Sequence, residues 1–385
     1  MLSSAWSAPG AGPPMSAATR AFLLLLVAAT VALWRGAVGM PATLVVVGSP
    51  TGSPQMFDSG RIIDLPQEVP AAHASSIVGL RDGGVLVAWF AGTREGAADV
   101  TIEMARVKPE GDAERWTALR RTQLESLSHR AIRKLGNPVI WLDASGQLHL
   151  FVVSVSLGGW SGSAVNHLTS HNLGRDWSWG SRLILSPLLN LSTLVRTPPL
   201  QLTEGSIGLP CYHEFLHKRS RWVQLSADGR VLDSVPIYRA GDSLQPAVAA
   251  LDEQRALAVM RAPSGGPRQV LAASTGNAGG SWHSLTPLDI PNPDSSVALL
   301  RLDDGALLMA ANPLQSGRGV LQLFLSANGG GSWQAGRVVE SGAGEYSYPA
   351  LALGPGGVFH LSYTLDRTHI RLRTFDREWA EASAP

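Results

Sequence analysis

The sequence has little cysteine, little lysine and almost no net charge, and each shortage argues against a class of protein. Cys211 is the single cysteine among 385 residues, so an intramolecular disulfide framework and a cysteine-built metal site are both excluded. Lysine and arginine together number 31 against 30 aspartates and glutamates, a formal net charge of +1. Nucleic-acid-binding proteins normally have a clustered basic excess. We therefore expect no nucleic-acid partner.

Long apolar runs are also scarce, apart from one near the N-terminus. The run from Ala21 to Trp34 would extend about 21 Å as a helix, short of the roughly 30 Å hydrocarbon core of a bilayer. A signal peptide fits this length, and Ala37-Val38-Gly39 is a small-residue cleavage site. An uncleaved anchor is the alternative. We predict that residues 1–44 are a signal peptide or N-terminal membrane anchor and that residues 45–385 form one domain.

The lack of disulfides also bears on the compartment. A disulfide-free protein that works outside the cytoplasm is more typical of a bacterial envelope than of a eukaryotic secretory route. We expect an exported protein in the bacterial periplasm, or one that is membrane-anchored or extracellular. Any membrane association would be through the N-terminal segment, and we expect a monomer.

Turn-forming residues and tryptophan are abundant. The chain has 41 glycines, 25 prolines and 12 tryptophans, while 45% of its residues are hydrophobic and 16% are charged. This composition predicts a folded chain with many turns and short strands. A chain of this length usually splits into domains unless its architecture adds modules around one axis.

One sequence pattern recurs from residue 70 onward: a turn followed by an apolar segment with the alternation typical of a strand. The strands are Val85–Phe90, Leu148–Val153, Ile207–Leu209, Ala256–Met260, Ala306–Ala310 and Val358–Tyr363. Their spacing of roughly 50 to 60 residues is that of four-stranded propeller blades. The last module, Tyr346–Trp379, has room for only three strands, so Met56–Leu65 would close the ring and remove the exposed edges. We predict an all-β, six-bladed β-propeller.

A second marker runs in phase with the first: Ser/Thr-x-Asn/Asp-x-Gly-x-x-Trp. It occurs at Ser170–Trp177, Thr275–Trp282 and Ser326–Trp333. The Asn/Asp side chain binds turn backbone, Gly takes the positive-φ position and Trp packs under the hairpin. A turn that serves every blade alike is structural, so the functional residues are those that do not repeat.

The turn marker is the Asp-box, or BNR repeat, and the chain resembles the sialidase superfamily over residues 56 to 378. Three segments resemble its bacterial "predicted neuraminidase" branch: His73–Ser76, Ala88–Gly96 followed by Asp99, and Gly344–Pro349. The resemblance implies the sialidase propeller fold and an exo-α-sialidase-like glycoside hydrolase. The implied partner is a glycan ending in an anionic sugar, and neither a metal nor an organic cofactor is implied.

Sialidases bind the sugar carboxylate with three arginines, which suits the forked guanidinium group. By resemblance, Arg261 is the second arginine and Arg318 is the third. Blade 1 offers His73 where the first is expected, so His73 becomes a third donor. The glutamate that steadies the first arginine is replaced by Thr364.

The resemblance also assigns the catalytic groups. Arg94 resembles the arginine that contacts the sugar, and Asp99 resembles the acid/base aspartate. Tyr348 resembles the tyrosine nucleophile, with Tyr346 as the other candidate; tyrosine avoids placing a carboxylate against an anionic substrate. Gln245 replaces the glutamate that activates the tyrosine and, as an amide, cannot take its proton.

Two residues outside this set open the next blades. Asn137 precedes Pro138, and Arg196 precedes Thr197-Pro198, so both are candidates to line the same pocket. Two other functions stay open on the same fold. A uronate-directed lyase would use His73 and Tyr348 to move protons while the arginines neutralise the carboxylate. A non-catalytic glycan-binding propeller is the third reading.

Overall fold

The structure is a computed structural model. It describes four stretches and two isolated residues: 42–50, 57–185, 192–215, 217–382, Ser16 and Thr19. The chain divides into two compact units, Met1–Met40 and Pro41–Pro385, and the fold reported below is that of the second. Nearly all of the predicted signal peptide or anchor lies outside the described residues. Among the described residues, no helix is both long and apolar enough to span a bilayer.

The described residues of the second unit form strands joined by turns and loops, with two short α-helices. The strands are β1 (Arg61–Asp64), β2 (Ala71–Gly79), β3 (Val85–Gly92), β4 (Thr101–Val107), β5 (Ala113–Leu119), β6 (Lys134–Leu142), β7 (Leu148–Val155), β8 (Ser163–Ser170), β9 (Ser178–Arg182), β10 (Leu194–Val195), β11 (Leu200–Gln201), β12 (Ile207–His213), β13 (Arg219–Leu225), β14 (Val231–Pro236), β15 (Leu244–Ala250), β16 (Ala256–Arg261), β17 (Leu271–Thr275), β18 (His283–Ser284), β19 (Ala298–Arg301), β20 (Leu307–Ala311), β21 (Val320–Ser326), β22 (Gln334–Ser341), β23 (Tyr346–Leu353), β24 (Phe359–Leu365) and β25 (His369–Phe375). The helices are α1 (Arg121–Ser128) and α2 (Arg377–Glu381).

These strands form six antiparallel sheets, which are the blades of a propeller as the sequence predicts. Blades 1 and 2 are β2-β3-β4-β5 and β6-β7-β8-β9, and blades 4 and 5 are β15-β16-β17-β18 and β19-β20-β21-β22. Blade 6 has the order β1-β25-β24-β23. The predicted ring closure is confirmed, because Arg61 lies opposite Thr374 and Asp64 opposite Arg371. The N-terminal strand thus covers an edge that would otherwise be free.

Blade 3 departs from the four-stranded pattern. Its inner edge is broken into β10 and β11, which both pair with β12. The break contains Pro198 and Pro199, which have no N–H to donate to the ladder. Arg196 lies in this break, and its guanidinium donates to backbone carbonyls of blades 1 and 6.

The core lies between the blades and includes the tryptophans of the repeated turns. Trp177 donates from Nε1 to the carbonyl of Ala118 in blade 1 at 2.9 Å. Trp282 packs on Trp222 of blade 3 with ring centroids 5.7 Å apart. These two turns therefore each join their own blade to the one before it, which agrees with the predicted structural role. The single cysteine, Cys211, is buried in this core.

Residues 42–50 pack along blades 3 to 5. Leu44 is 1% exposed, bridges Leu202 and donates its N–H to Glu253 O at 2.7 Å. Ser49 N donates to Asp303 Oδ1 at 2.8 Å. The predicted boundary between residues 44 and 45 falls inside this packed segment, and processing of the N-terminus stays a prediction.

Candidate active site at the centre of the propeller

Four inner strands are interrupted by a bulge near their first residues. The register shifts between His73 and Ser76, Gly136 and Pro138, Leu244 and Ala247, and Ser347 and Ala350. A bulge re-directs side chains and is frequent beside active sites. Three bulge residues have left-handed backbones, namely Ala74 at φ 53°, Gln245 at 49° and Tyr348 at 54°. Each costs on the order of 1–3 kcal/mol, which the surrounding fold has to offset.

Arg261 is the link between two of these bulges. From Nη1 it donates to Gln245 Oε1 at 3.2 Å and to Tyr348 Oη at 3.4 Å. From Nε it donates to Asp294 Oδ1 at 2.5 Å, and Ser264 binds the other oxygen of Asp294 at 2.6 Å. Burial opposes the charge of Asp294, but these hydrogen bonds hold its pKa below the usual range. The guanidinium is therefore held at the phenol oxygen.

Tyr348 is surrounded by cations and by one imidazole. The guanidinium carbons of Arg196 and Arg318 lie 5.4 Å and 5.5 Å from its ring centroid. The ring of His73 meets it edge-on, with centroids 4.3 Å apart. These contacts place positive charge at the ring of Tyr348 as well as at its Oη.

Arg196 is buried, and both of its terminal nitrogens donate to backbone carbonyls. It is 2% exposed, donates from Nη1 to Ser75 O at 2.9 Å, and donates from Nη2 to Tyr348 O at 2.6 Å and Pro349 O at 3.0 Å. Burial lowers its pKa to about 10, which still leaves it charged at neutral pH. These hydrogen bonds hold the Tyr348 bulge in place. Because both terminal nitrogens donate to the backbone, Arg196 contributes positive charge to the site and not a direct contact with a ligand.

Asn137 and Gln245 meet at the hydroxyl of a tyrosine from blade 3. Asn137 Nδ2 donates to Tyr212 Oη at 3.0 Å and Gln245 Nε2 donates to the same oxygen at 3.4 Å. The structure thus places Asn137, Gln245 and Arg261 in one hydrogen-bonded chain that ends at Tyr348. The amide of Gln245 connects Tyr212 to Arg261 in this series of hydrogen bonds. Unlike a carboxylate, it cannot accept a proton.

His73 is an uncharged group in this setting. It is 3% exposed, and burial, followed by the charge of Arg367, lowers its pKa to about 3. Its Nδ1 has no hydrogen-bond partner among the described residues. Thr364 has a definite role nearby, since its hydroxyl accepts the N–H of Ala74 at 3.1 Å and so fixes the bulge that carries His73.

Arg94 and Asp99 lie on the exposed loop between β3 and β4. Thr93 donates to Asp99 Oδ2 from its hydroxyl and from its N–H at 3.0 Å. The Thr93 hydroxyl is the main cause that holds the pKa of Asp99 below its usual range, and Arg94 adds to the effect. The carboxyl of Asp99 is therefore ionised in the ligand-free protein. The loop contacts the site through Glu95, whose Oε2 lies 3.6 Å from Arg367 Nη1.

Three residues of the site, Glu214, Glu345 and Arg367, could not be predicted from the sequence because they lie in turns outside the repeats. Arg318 Nη1 binds Glu345 Oε1 at 3.0 Å, and Arg367 Nε binds Glu345 Oε2 at 3.0 Å. Glu214 follows β12, and burial raises the pKa of its carboxyl against the opposing charge of Arg261. The Gly344–Pro349 segment contains Glu345, but nothing in the sequence pairs it with two arginines. No group of acidic, histidine or cysteine residues in the described part of the chain could hold a metal ion.

Comparison with known proteins gives the same fold. The family model described as BNR repeat-like domain matches residues 83–361. No curated protein matches the chain.

Three solved structures illustrate the likeness. The Hadza microbial sialidase Hz136 is 14% identical, with a TM-score of 0.67 over 80% of this chain and 66% of that one. The intramolecular trans-sialidase from Ruminococcus gnavus is 12% identical, with a TM-score of 0.62 over 85% and 99%. The α-L-arabinanase of Penicillium chrysogenum is 15% identical, with a TM-score of 0.64 over 85% and 100%. The chain thus spans just under two thirds of the first structure, and the likeness concerns the propeller fold.

Proposed function

Because this chain belongs to the BNR repeat-like domain family and has the sialidase propeller, we propose that it is an exo-acting glycoside hydrolase. Its substrate would be a glycan that ends in an anionic sugar, sialic acid or a similar one. The observation on which the proposal rests is the hydrogen bond of 3.4 Å from Arg261 Nη1 to Tyr348 Oη, at the centre of the ring. The sialidase names among the similar structures support it.

In the proposed reaction Tyr348 is the nucleophile. Its Oη attacks the anomeric carbon as the bond to the leaving oxygen breaks; Asp99 gives that oxygen its proton, and the phenol proton passes to solvent water. In the second step a water attacks the anomeric carbon and gives a proton to the carboxylate of Asp99, while Tyr348 leaves as a phenolate and takes a proton back from solvent. Arg261 stabilises the developing phenolate electrostatically, which suits a site where Gln245 cannot accept the tyrosine proton.

Asp99 needs a change of environment to act as an acid. In the free protein it is exposed and its pKa is lowered by Thr93, so it holds no proton at neutral pH. A bound sugar would cover the loop and remove water from the carboxyl, which raises a carboxyl pKa. The proposal therefore includes an acidic pH optimum.

One observation favours a second candidate. His73 is neutral, and its ring lies 4.3 Å from the ring of Tyr348. In a uronate lyase, His73 would take the proton α to the carboxylate while Tyr348 gives its proton to the leaving oxygen. The bond to that oxygen breaks as a carbon–carbon double bond forms. The arginines would acidify the α proton by neutralising the carboxylate.

The first experiment is incubation of the full chain with a 4-methylumbelliferyl sialoside, with Tyr348→Phe and Asp99→Asn as controls. Fluorophore release that both substitutions abolish supports the hydrolase. No release from the sialoside, together with a new ultraviolet absorbance from a polyuronate, supports the lyase. Glycan binding that survives both substitutions, without any product, supports a glycan-binding propeller instead.

A further inference from the structure

We propose that Arg367 supplies the third cation of the anion pocket, from a hairpin of blade 6 and not from the blade 1 position that holds His73. The inference rests on the proposed function. It concerns a residue outside every sequence motif and outside the set that the resemblance implies. Its consequence is that the pocket recognises a carboxylate although His73 is uncharged.

Arg367 is fixed by the backbone around it. It follows Asp366 in the turn between β24 and β25, and both residues have left-handed backbones, at φ 57° and 50°. The carbonyl of Arg367 accepts the N–H of Ala72 at 3.0 Å. Since Ala72 precedes His73, the hairpin of blade 6 is held beside the bulge that carries the imidazole.

The guanidinium of Arg367 is oriented by carboxylates. Nε donates to Glu345 Oε2 at 3.0 Å, and Nη1 lies 3.6 Å from Glu95 Oε2. The other oxygen of Glu345 accepts from Arg318 Nη1 at 3.0 Å and from the Ser347 hydroxyl at 2.8 Å. One carboxylate therefore braces two arginines from different blades, which pre-organises both for a ligand.

The guanidinium of Arg367 is available to a ligand. After burial, its charge is the largest cause of the lowered pKa of His73; the pKa of Arg367 itself is raised mainly by the hydrogen bond to Glu345, with a smaller contribution from Tyr348. Its side chain is 53% exposed, and Nη2 donates to no described residue. A carboxylate oxygen could therefore bind Nη2 without breaking an existing hydrogen bond.

The other cations cannot supply this charge. Arg196 is enclosed by three backbone carbonyls, and His73 is neutral. Arg261 and Arg318 are each already paired with a carboxylate. Arg367 has two carboxylate neighbours as well, but its Nη2, which donates to no described residue, adds an N–H donor on the side of the pocket where His73 lies.

The test measures binding by the full chain in calorimetry, with N-acetylneuraminic acid and its methyl ester as probes, and with glucuronic acid as a second acid. The variant is Arg367→Met. The matched control is Arg175→Met, because Arg175 is also about half exposed and paired with a glutamate, Glu114, but lies on a repeated turn.

We expect Arg367→Met to bind the acid at least about 10-fold more weakly, the loss of a charge-assisted hydrogen bond, and to bind the ester like the wild type. Arg175→Met should bind both probes unchanged. If Arg367→Met binds the acid as tightly as the wild type does, while Arg261→Met no longer binds it, the inference about Arg367 is overturned and the proposed function is not. A wild type that binds neither acid would overturn the proposed function as well.

Discussion

Arg261 Nη1 donates to Tyr348 Oη at 3.4 Å, and this contact joins the end of β16 in blade 4 to β23, the inner strand of blade 6. The two residues are 87 positions apart in the chain. Their meeting depends on the closure of the ring and on the bulge that turns Tyr348 toward the centre. The pair is the chemical centre of the site, and the first two predictions concern it.

Replacing Tyr348 with Phe should lower kcat by about 10³-fold or more, because the variant loses the attacking oxygen. Thermal unfolding should change little, since the aromatic ring and its contact with His73 remain. The matched control is Tyr346→Phe, two residues earlier on the same strand, where activity should be kept. Equal activity of the two variants would remove Tyr348 from the reaction.

Replacing Gln245 with Glu should raise kcat several-fold at neutral pH. The new carboxylate would stand beside Arg261 and could accept the proton of Tyr348, which the amide cannot do. Tyr212 can rotate its hydroxyl to donate to that carboxylate. Activity at several pH values measures the effect, with Asn137→Asp as a control that adds a carboxylate to the same chain beyond Tyr212. A lower kcat in a correctly folded Gln245→Glu protein contradicts the prediction.

Thr93→Val should move the pH profile of kcat/KM to higher pH. The Thr93 hydroxyl is the main cause of the lowered pKa of Asp99, so its removal raises that pKa. Because an acid catalyst acts in its protonated form, a higher pKa keeps Asp99 protonated to a higher pH. An unchanged profile, or one that moves to lower pH, would show that Asp99 is not the acid. Thr101→Val, on the next strand, serves as the control.

Asn277→Ala should lower stability without touching catalysis. Asn277 Oδ1 accepts the N–H of Ser281 at 2.8 Å and the Thr275 hydroxyl at 2.9 Å, both within the repeated turn of blade 4. We expect a loss of about 1–2 kcal/mol in the free energy of unfolding, measured by urea denaturation. A change in kcat would show that the repeated turn also positions the site.

Acid should destabilise the protein through its buried histidines. Burial lowers the pKa of His167 from 6.5 to about 3, so between those values the unfolded chain binds a proton that the folded chain refuses. The contribution of His167 is therefore complete above pH 6.5 and is lost as the pH falls toward 3. His167→Gln should reduce the slope of unfolding free energy against pH by up to about 1.4 kcal/mol per pH unit. Urea denaturation at several pH values measures this slope, and an unchanged slope contradicts the prediction.

The sequence by itself determined the fold. Strand alternation, turn residues and the Asp-box repeat are local signals, and six repeats with a three-strand remainder require closure by an N-terminal strand. Pro198 and Pro199 are evident in the sequence, but they do not by themselves predict that the inner strand of blade 3 is split into β10 and β11. The split depends on which residues of β12 each segment pairs with, and only the folded sheet determines that.

Only the tertiary structure decided how the site is charged. The sequence supplied Arg261, Arg318 and Tyr348 as candidates, but Arg367, Glu345 and Glu214 come from turns that follow no repeat. Their positions depend on the closed ring, which brings loops from distant parts of the chain to one centre. The charge of a group there depends on burial and on neighbours from other blades, as the neutral His73 beside Tyr348 illustrates. Those neighbours exist only once the propeller has formed.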